Sequence, residues 1–186
     1  HAPKVAVELT EVMREYAFTK QLIIEIHEAI AVGNEAIGAL SAAANSLNSA
    51  SNYSTWDTFF GGGFIVTSLK HDKLEESNAS IHDAQISLQR FQNELLDVQE
   101  MKHATLNIEI DGFVKFADYF FDDIFSEWSI HSKIATSNNQ ISRVEDDVYN
   151  TLLQLERKLS IAIEKQQELE HRKQGIFNME HELLFL

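Results

Sequence analysis

The chain has no cysteine, and only one proline, Pro3, in 186 residues. Without thiols there is no disulfide, no thiolate nucleophile and no cysteine-held metal. An average chain carries about 5% proline, which would be about nine here. Proline breaks helices because it lacks the N–H and clashes with the preceding turn, so no such break exists after residue 3. A loop-rich or β-rich fold is disfavoured on that count. Basic residues are also scarce: 15 Lys and Arg stand against 29 Asp and Glu, for a net charge of −14. Phosphate binding needs clustered Lys and Arg, so nucleic acid is not an expected partner. Charge-driven docking on anionic lipid is disfavoured for the same reason, while apolar insertion stays open. No His-Glu-x-x-His, nucleophile elbow or phosphate loop occurs, and Gly61-Gly62-Gly63 with Lys70 lacks the Gly-Lys-Ser/Thr that a phosphate loop needs.

What is present is a long apolar periodicity. Val5, Leu9, Val12, Tyr16, Thr19, Ile23, Ile26, Ile30, Gly33, Ile37, Leu40, Ala44 and Leu47 follow at alternating steps of four and three, the seam of a coiled coil or long bundle helix. This predicts a helix over 4–48, with Glu8, Glu11 and Glu15 in its first turns, where a helix dipole favours acids. A second seam runs through Leu74, Ser77, Ile81, Ala84, Leu88, Phe91, Leu95 and Val98, predicting a helix over 66–104. Ser80 with Asp83 has the form of a capping box and would place a break near 77–80. A third frame, through Ile134, Ile141, Val148, Leu152, Leu155, Leu159, Ala162, Leu169, Ile176 and Leu183, predicts helix over 113–184, with a kink or break at 136–140, where helix formers are weak.

Three stretches depart from this pattern. Residues 36–69 carry a single charge, Asp57, where the chain average of 24% would put about eight. Within them Trp56, Phe59, Phe60, Gly61, Gly62, Gly63 and Phe64 read as the connection between the first two helices and as a candidate interaction tip. Leu106-Asn107-Ile108-Glu109-Ile110 alternates as a strand does and predicts a short extended strap near 105–110. Residues 113–128 hold seven aromatics spread round a helix, which calls for cover on more than one side.

The segments Trp56-Asp57 to Gly61-Gly62-Gly63 and Phe116-Ala117-Asp118-Tyr119-Phe120-Phe121-Asp122 resemble an uncharacterised group of bacterial long-helix proteins. The resemblance covers most of residues 50–135 and implies a long-helix fold with no known activity. A Trp-x-Gly turn, as in some small secreted helical hairpins, is not matched, because Thr58 stands where the glycine belongs.

Metal-ligand spacing was weighed at two Glu-x-x-His pairs, Glu100/His103 and Glu168/His171. The heptad frames place all four on outward faces, so no metal is expected there. Glu127 and His131, with Asp123 one turn before, fall on seam positions, where a buried hydrogen-bonded pair is expected rather than a metal or proton-sensing site.

The expected fold is all-α, a single elongated domain over 1–186 of long antiparallel helices in a coiled-coil-like bundle. The expected function is a non-enzymatic structural or protein-interaction module, with no cofactor. Its partner would be a second copy or a helical protein. A helix over 113–184 would outrun the second helix, and its surplus Leu155, Leu159, Leu169, Ile176 and Leu183 would need cover from another chain. The alternatives are a membrane-active helical hairpin with 36–69 as the tip and, less favoured, a metal-binding bundle. His1-Ala2-Pro3 in place of an initiator Met fits a removed leader or a trimmed tag, while the lack of cysteine favours the cytoplasm.

Overall fold

The computed structural model describes residues 2–60, 64–101 and 134–183, with side chains at 4–49, 79–101 and 141–179. All described residues except Met101 are helical. They form α1 (Ala2–Phe60), α2 (Phe64–Glu100) and α3 (Ile134–Leu183). At 1.5 Å per residue these are about 88, 55 and 75 Å long. The expected strap at 105–110 and the aromatic segment 113–128 lie outside the described residues.

Three boundaries differ from the sequence reading. The Ser/Asn-rich stretch 45–54 was assigned to a connection, yet α1 continues through it to Phe60 and stops where the three glycines begin. Serine and asparagine lose only tenths of a kcal/mol of helix propensity each, roughly 0.5 relative to alanine, and packing overrides that. The packing is visible: Leu47 is buried, and the Ser46 hydroxyl meets that of Ser80 on α2 at 3.1 Å. Ser80 thus reaches across to α1, and α2 runs unbroken through 77–80. Likewise α3 is unbroken across 136–140. Because α1 starts at Ala2, its first turn holds no acid, and Glu8 lies further in.

Cross-helix pairs set the register. Ser46 meets Ser80 and Glu35 pairs with Arg90 at 3.0 Å, so numbers rise along α2 as they fall along α1. The same holds for α3, where Ser41 donates to Glu145 and Arg172 approaches Glu8 at 3.5 Å. Both α2 and α3 pack along α1, and among the described residues no comparable contact joins them to each other. The first helix is therefore central.

Its buried face is correspondingly wide. Val12, Thr19, Ile26, Gly33, Leu40 and Leu47, seven apart, are all buried, as are Ile141, Val148, Leu155, Ala162, Leu169 and Ile176 on α3. On α2 the seam holds at every described position, with Ala84, Leu88, Phe91, Leu95 and Val98 buried and Ile81 packed against them. The alternate positions of α1 shift by one residue. Leu22, Ala29, Ala36 and Ala43 are fully or nearly fully buried, whereas Ile23, Ile30, Ile37 and Ala44 pack at the edge of the core. A helix with two neighbours needs a broader apolar stripe than a two-stranded seam. On the helical wheel Val32, Ala36 and Ala43 share the flank of Glu35 and Ser46, which reach α2. Ile23, Ile30 and Ile37 share the flank of Ser41, which reaches α3. Small residues thus line the α2 side and branched ones the α3 side. The buried hydroxyls of Thr19 and Thr151 donate to their own helix, at the carbonyls of Glu15 and Asp147, so neither is left without an acceptor.

All three helices meet at Gly33. A Cβ built there would lie 2.6 Å from Leu152 Cδ2 of α3 and 2.7 Å from Phe91 Cε2 of α2. Gly38 and Gly175 face open space. Three alanine substitutions therefore separate packing from backbone entropy. Overpacking costs about 1–3 kcal/mol, and replacing helical glycine by alanine returns about 0.5–1. The Leu152 methyl can swing aside but the Phe91 ring, fully buried, cannot. Gly33→Ala is expected to lower unfolding stability by about 1–2 kcal/mol, and Gly38→Ala and Gly175→Ala each to raise it by about 0.5–1. Urea denaturation followed by circular dichroism measures all three.

Candidate interaction surfaces

The three helices differ in length, and the difference creates an arm. From the Glu35–Arg90 pair, α2 reaches back only to about residue 25 of α1, whereas α3 follows α1 to the level of Glu8. Among the described residues, 4–24 of α1 thus pack on α3 alone. Val12, Leu169 and Ile176 form a separate core there, with Val5, Leu9 and Tyr16 packed against it. The cover that Leu169 and Ile176 were expected to need from another chain is supplied by this half of α1.

The sequence of α1 follows the reach of α2. Where α2 covers it, the α2-side flank reads Val32, Ala36, Ala39 and Ala43. Before that, the same flank carries Glu11, Arg14, Gln21 and Glu25, with Val7 and Phe18 among them. A shallow hollow, open to solvent, lies on the outward face of the first turns of α1, lined by Ala6, Val7, Thr10, Glu11 and Arg14. Its polar groups are engaged locally. The Thr10 hydroxyl donates to the Ala6 carbonyl at 2.8 Å, and Arg14 pairs with Glu11 at 3.5 Å. Val7 is 66% exposed. Met13 on α1 and Ile161, Phe177 and Met179 on α3 add further exposed apolar area along the arm.

A polar joint ties the arm across its seam. Lys173 Nζ donates to Glu170 at 2.6 Å and sits 4.8 Å from the centre of the Tyr16 ring. The Gln174 amide donates to the same carboxylate at 3.4 Å. The Lys173 hydrogen bond and charge, with bonds from Gln174 and Tyr16, hold the Glu170 carboxyl below its ordinary value, against a smaller opposing effect of desolvation. The bonds from Lys173 and Gln174 lie within α3, so across the seam it is Tyr16, under the Lys173 ammonium and bonded to Glu170, that favours one register.

The residues singled out as a tip fall at the hairpin end of α1 and α2. Trp56, Phe59 and Phe60 lie in the last two turns of α1, and Phe64 is the first residue of α2. Gly61, Gly62 and Gly63 lie outside the described residues. No described helix is long and apolar enough to cross a membrane. Glu100, Glu168 and His171 are exposed, on the outward faces that the heptad frame assigns them. His103, Asp123, Glu127 and His131 lie outside the described residues. Among the described residues no group of three or more His, Asp or Glu could hold a metal ion. The sequence reading missed the vacated flank, whose signal was the alanine repeat at 29, 36 and 43, which gives way to Glu15 and Glu8 two and three heptads upstream. No protein-family model, curated protein or solved structure matches this chain.

A carboxylate with a lowered folded value stabilises the fold above its ordinary range and ceases to do so as pH falls through the folded value. Glu170→Gln is therefore expected to lower the thermal midpoint at pH 7 by a few degrees at most, since the group is exposed. The gap between variant and parent should close as pH drops below the ordinary value of 4.5. Thermal melts between pH 3 and pH 7 read this out.

Proposed function

We propose that this chain is a non-enzymatic interaction module, an antiparallel coiled-coil-like bundle that assembles through the face α2 leaves uncovered on its arm. The observation that carries this reading is the hollow at Ala6 and Val7. Three of its lining residues, Val7, Glu11 and Arg14, continue the flank of α1 on which α2 lies, so a further helix suits the same track. Its hydroxyl and its ion pair are already satisfied within α1, leaving an apolar floor and no unspent polar group to orient a substrate. The exposed Phe177 and Met179 on α3 extend the apolar area on the arm.

The occupant proposed is a second copy of this chain, with a helical protein partner as the alternative within the same class. Two arms side by side would turn two two-stranded segments into one four-helix segment, with the vacated flanks facing inward. The acidic surface, at −14 per chain, sets a limit on how the copies meet, because like charges at an interface rim slow association and disfavour it. The apolar part of the arm is where two copies can approach.

Light scattering on the full chain at tens of micromolar tests the reading. The expected mass is twice the 21.2 kDa of one chain. Val7→Glu with Phe177→Glu is expected to return the mass to one chain with helicity unchanged by circular dichroism. A mass of one chain for the parent protein would defeat self-assembly.

A further inference from the structure

The bundle separates its charge along its length. The arm consists of residues 4–24 of α1 and the stretch of α3 beside them, 161–179, placed there by the Glu8–Arg172 pair. Six bases and six acids stand in these two stretches, so the arm has no net charge. The rest of the chain has nine bases against twenty-three acids and carries the whole −14. The described side chains of the body, 25–49, 79–101 and 141–160, show the same imbalance, with four bases against eleven acids. Within the arm, opposite charges are joined in pairs. Glu11 meets Arg14, Glu8 meets Arg172, Lys165 meets Glu168 and Lys173 meets Glu170, at 2.6 to 3.5 Å. Beside these pairs stand exposed apolar side chains on the flank that α2 vacates. Val7 lies seven residues before Arg14 on α1, and Met179 seven residues past Arg172 on α3. The arm is thus the part of the protein that a second copy can approach without meeting a field of its own sign.

We propose that two copies meet arm to arm and antiparallel, about a two-fold axis across the arms, so that their acidic bodies point to opposite ends of the dimer. This arrangement presupposes the self-assembly proposed above and fixes its direction. Two identical arms can join symmetrically in two ways. With the axis along the arms the bodies lie side by side, where packed helices are about 8–10 Å apart. That is about one screening length at physiological salt, so the repulsion between the bodies is felt. With the axis across the arms, at the level of Arg14, the bodies begin at Glu25 on either side. Their nearest ends are then about 33 Å apart along the bundle, at 1.5 Å per residue. Four screening lengths, at about 8 Å each, separate them, and the repulsion is lost. Apolar contact between the arms is open to both arrangements, so the bodies decide.

Because the chain has no cysteine, one introduced cysteine carries one spin label. Ala17 and Ala31 are both exposed on α1, the first in the arm and the second in the body. Pulsed electron resonance on full-length Ala17→Cys and Ala31→Cys, with the mass checked by light scattering, reads the direction. Antiparallel arms put the two Ala31 labels about 51 Å apart along the bundle and the two Ala17 labels about 9 Å, before lateral spacing is added. The expected result is therefore a distance beyond about 50 Å at Ala31 and about half that at Ala17. Equal short distances at both positions, in a particle of two chains, would overturn the antiparallel direction and leave self-assembly standing. Mass that climbs past two chains with concentration would mean arm on body, head to tail, and would overturn it as well. A mass of one chain would defeat self-assembly itself. Lys4→Glu with Lys20→Glu, both exposed, makes the arm acidic. It is expected to weaken association about tenfold at 50 mM salt, with recovery at 500 mM. Association indifferent to this change at low salt would overturn the role given to the neutral arm.

Discussion

The packing of this protein rests on one position without a side chain. Gly33 lies midway along α1, and the space its Cβ would fill is taken from one side by the Phe91 ring and from the other by Leu152. Glycine inside a helix costs about 0.5–1 kcal/mol relative to alanine, so its placement there is informative. The close approach lets α2 and α3 grip the same turn of α1 from two directions. Neither then needs to pack along the other, and the bundle takes its shape from a central helix with two flanking ones. Small residues at 29, 36 and 43 on the α2 side continue the narrow spacing that Gly33 begins.

Once that crossing is set, register and length decide the rest. Glu35–Arg90 and Ser46–Ser80 align α2, while Ser41–Glu145, Glu8–Arg172 and the Tyr16–Glu170–Lys173 joint align α3. Exposed ion pairs contribute little energy each, but they penalise a slip of one heptad, in which every pair would be lost together. With these alignments α2 ends near residue 25 of α1, and no other described helix lies on the remaining flank of α1. The arm follows from this mismatch in length. The interaction reading proposed above therefore rests on geometry created by the fold, with no catalytic group invoked.

Much of this was legible in the order of residues. The positions seven apart on α1 from Val12 to Leu47, and on α3 from Ile141 to Ile176, are buried as their periodicity predicts, and so are the α2 seam residues from Ala84 to Val98. A period near 3.5 is a property of consecutive residues, so it survives without knowledge of neighbours. The outward faces of Glu168 and His171 follow from the same frame. The errors lie where a second neighbour intervened. Large Ile23, Ile30 and Ile37 look more like core than Ala29 and Ala36, because bulk and hydrophobicity rank them higher. The alanines are buried because α2 presses close on that flank, which no single-helix pattern reveals. The helical continuation through the serines and asparagines of 45–54 has the same cause, since packing against α2 outweighs weak propensity.

The sequence by itself determined three long helical segments, each with an apolar stripe. Proline scarcity, heptad spacing and the lack of thiols or a catalytic motif are local or compositional facts, and local facts suffice for secondary structure and for which face turns inward. The tertiary structure alone decided that α1 is the central helix, that α2 stops short beside Glu25, and that α1 itself covers Leu169 and Ile176. Those are matters of which stripe meets which, and at what register. Apolar stripes are chemically alike, so their pairing is selected by steric fit at Gly33 and by a few polar contacts between residues 34 to 164 positions apart.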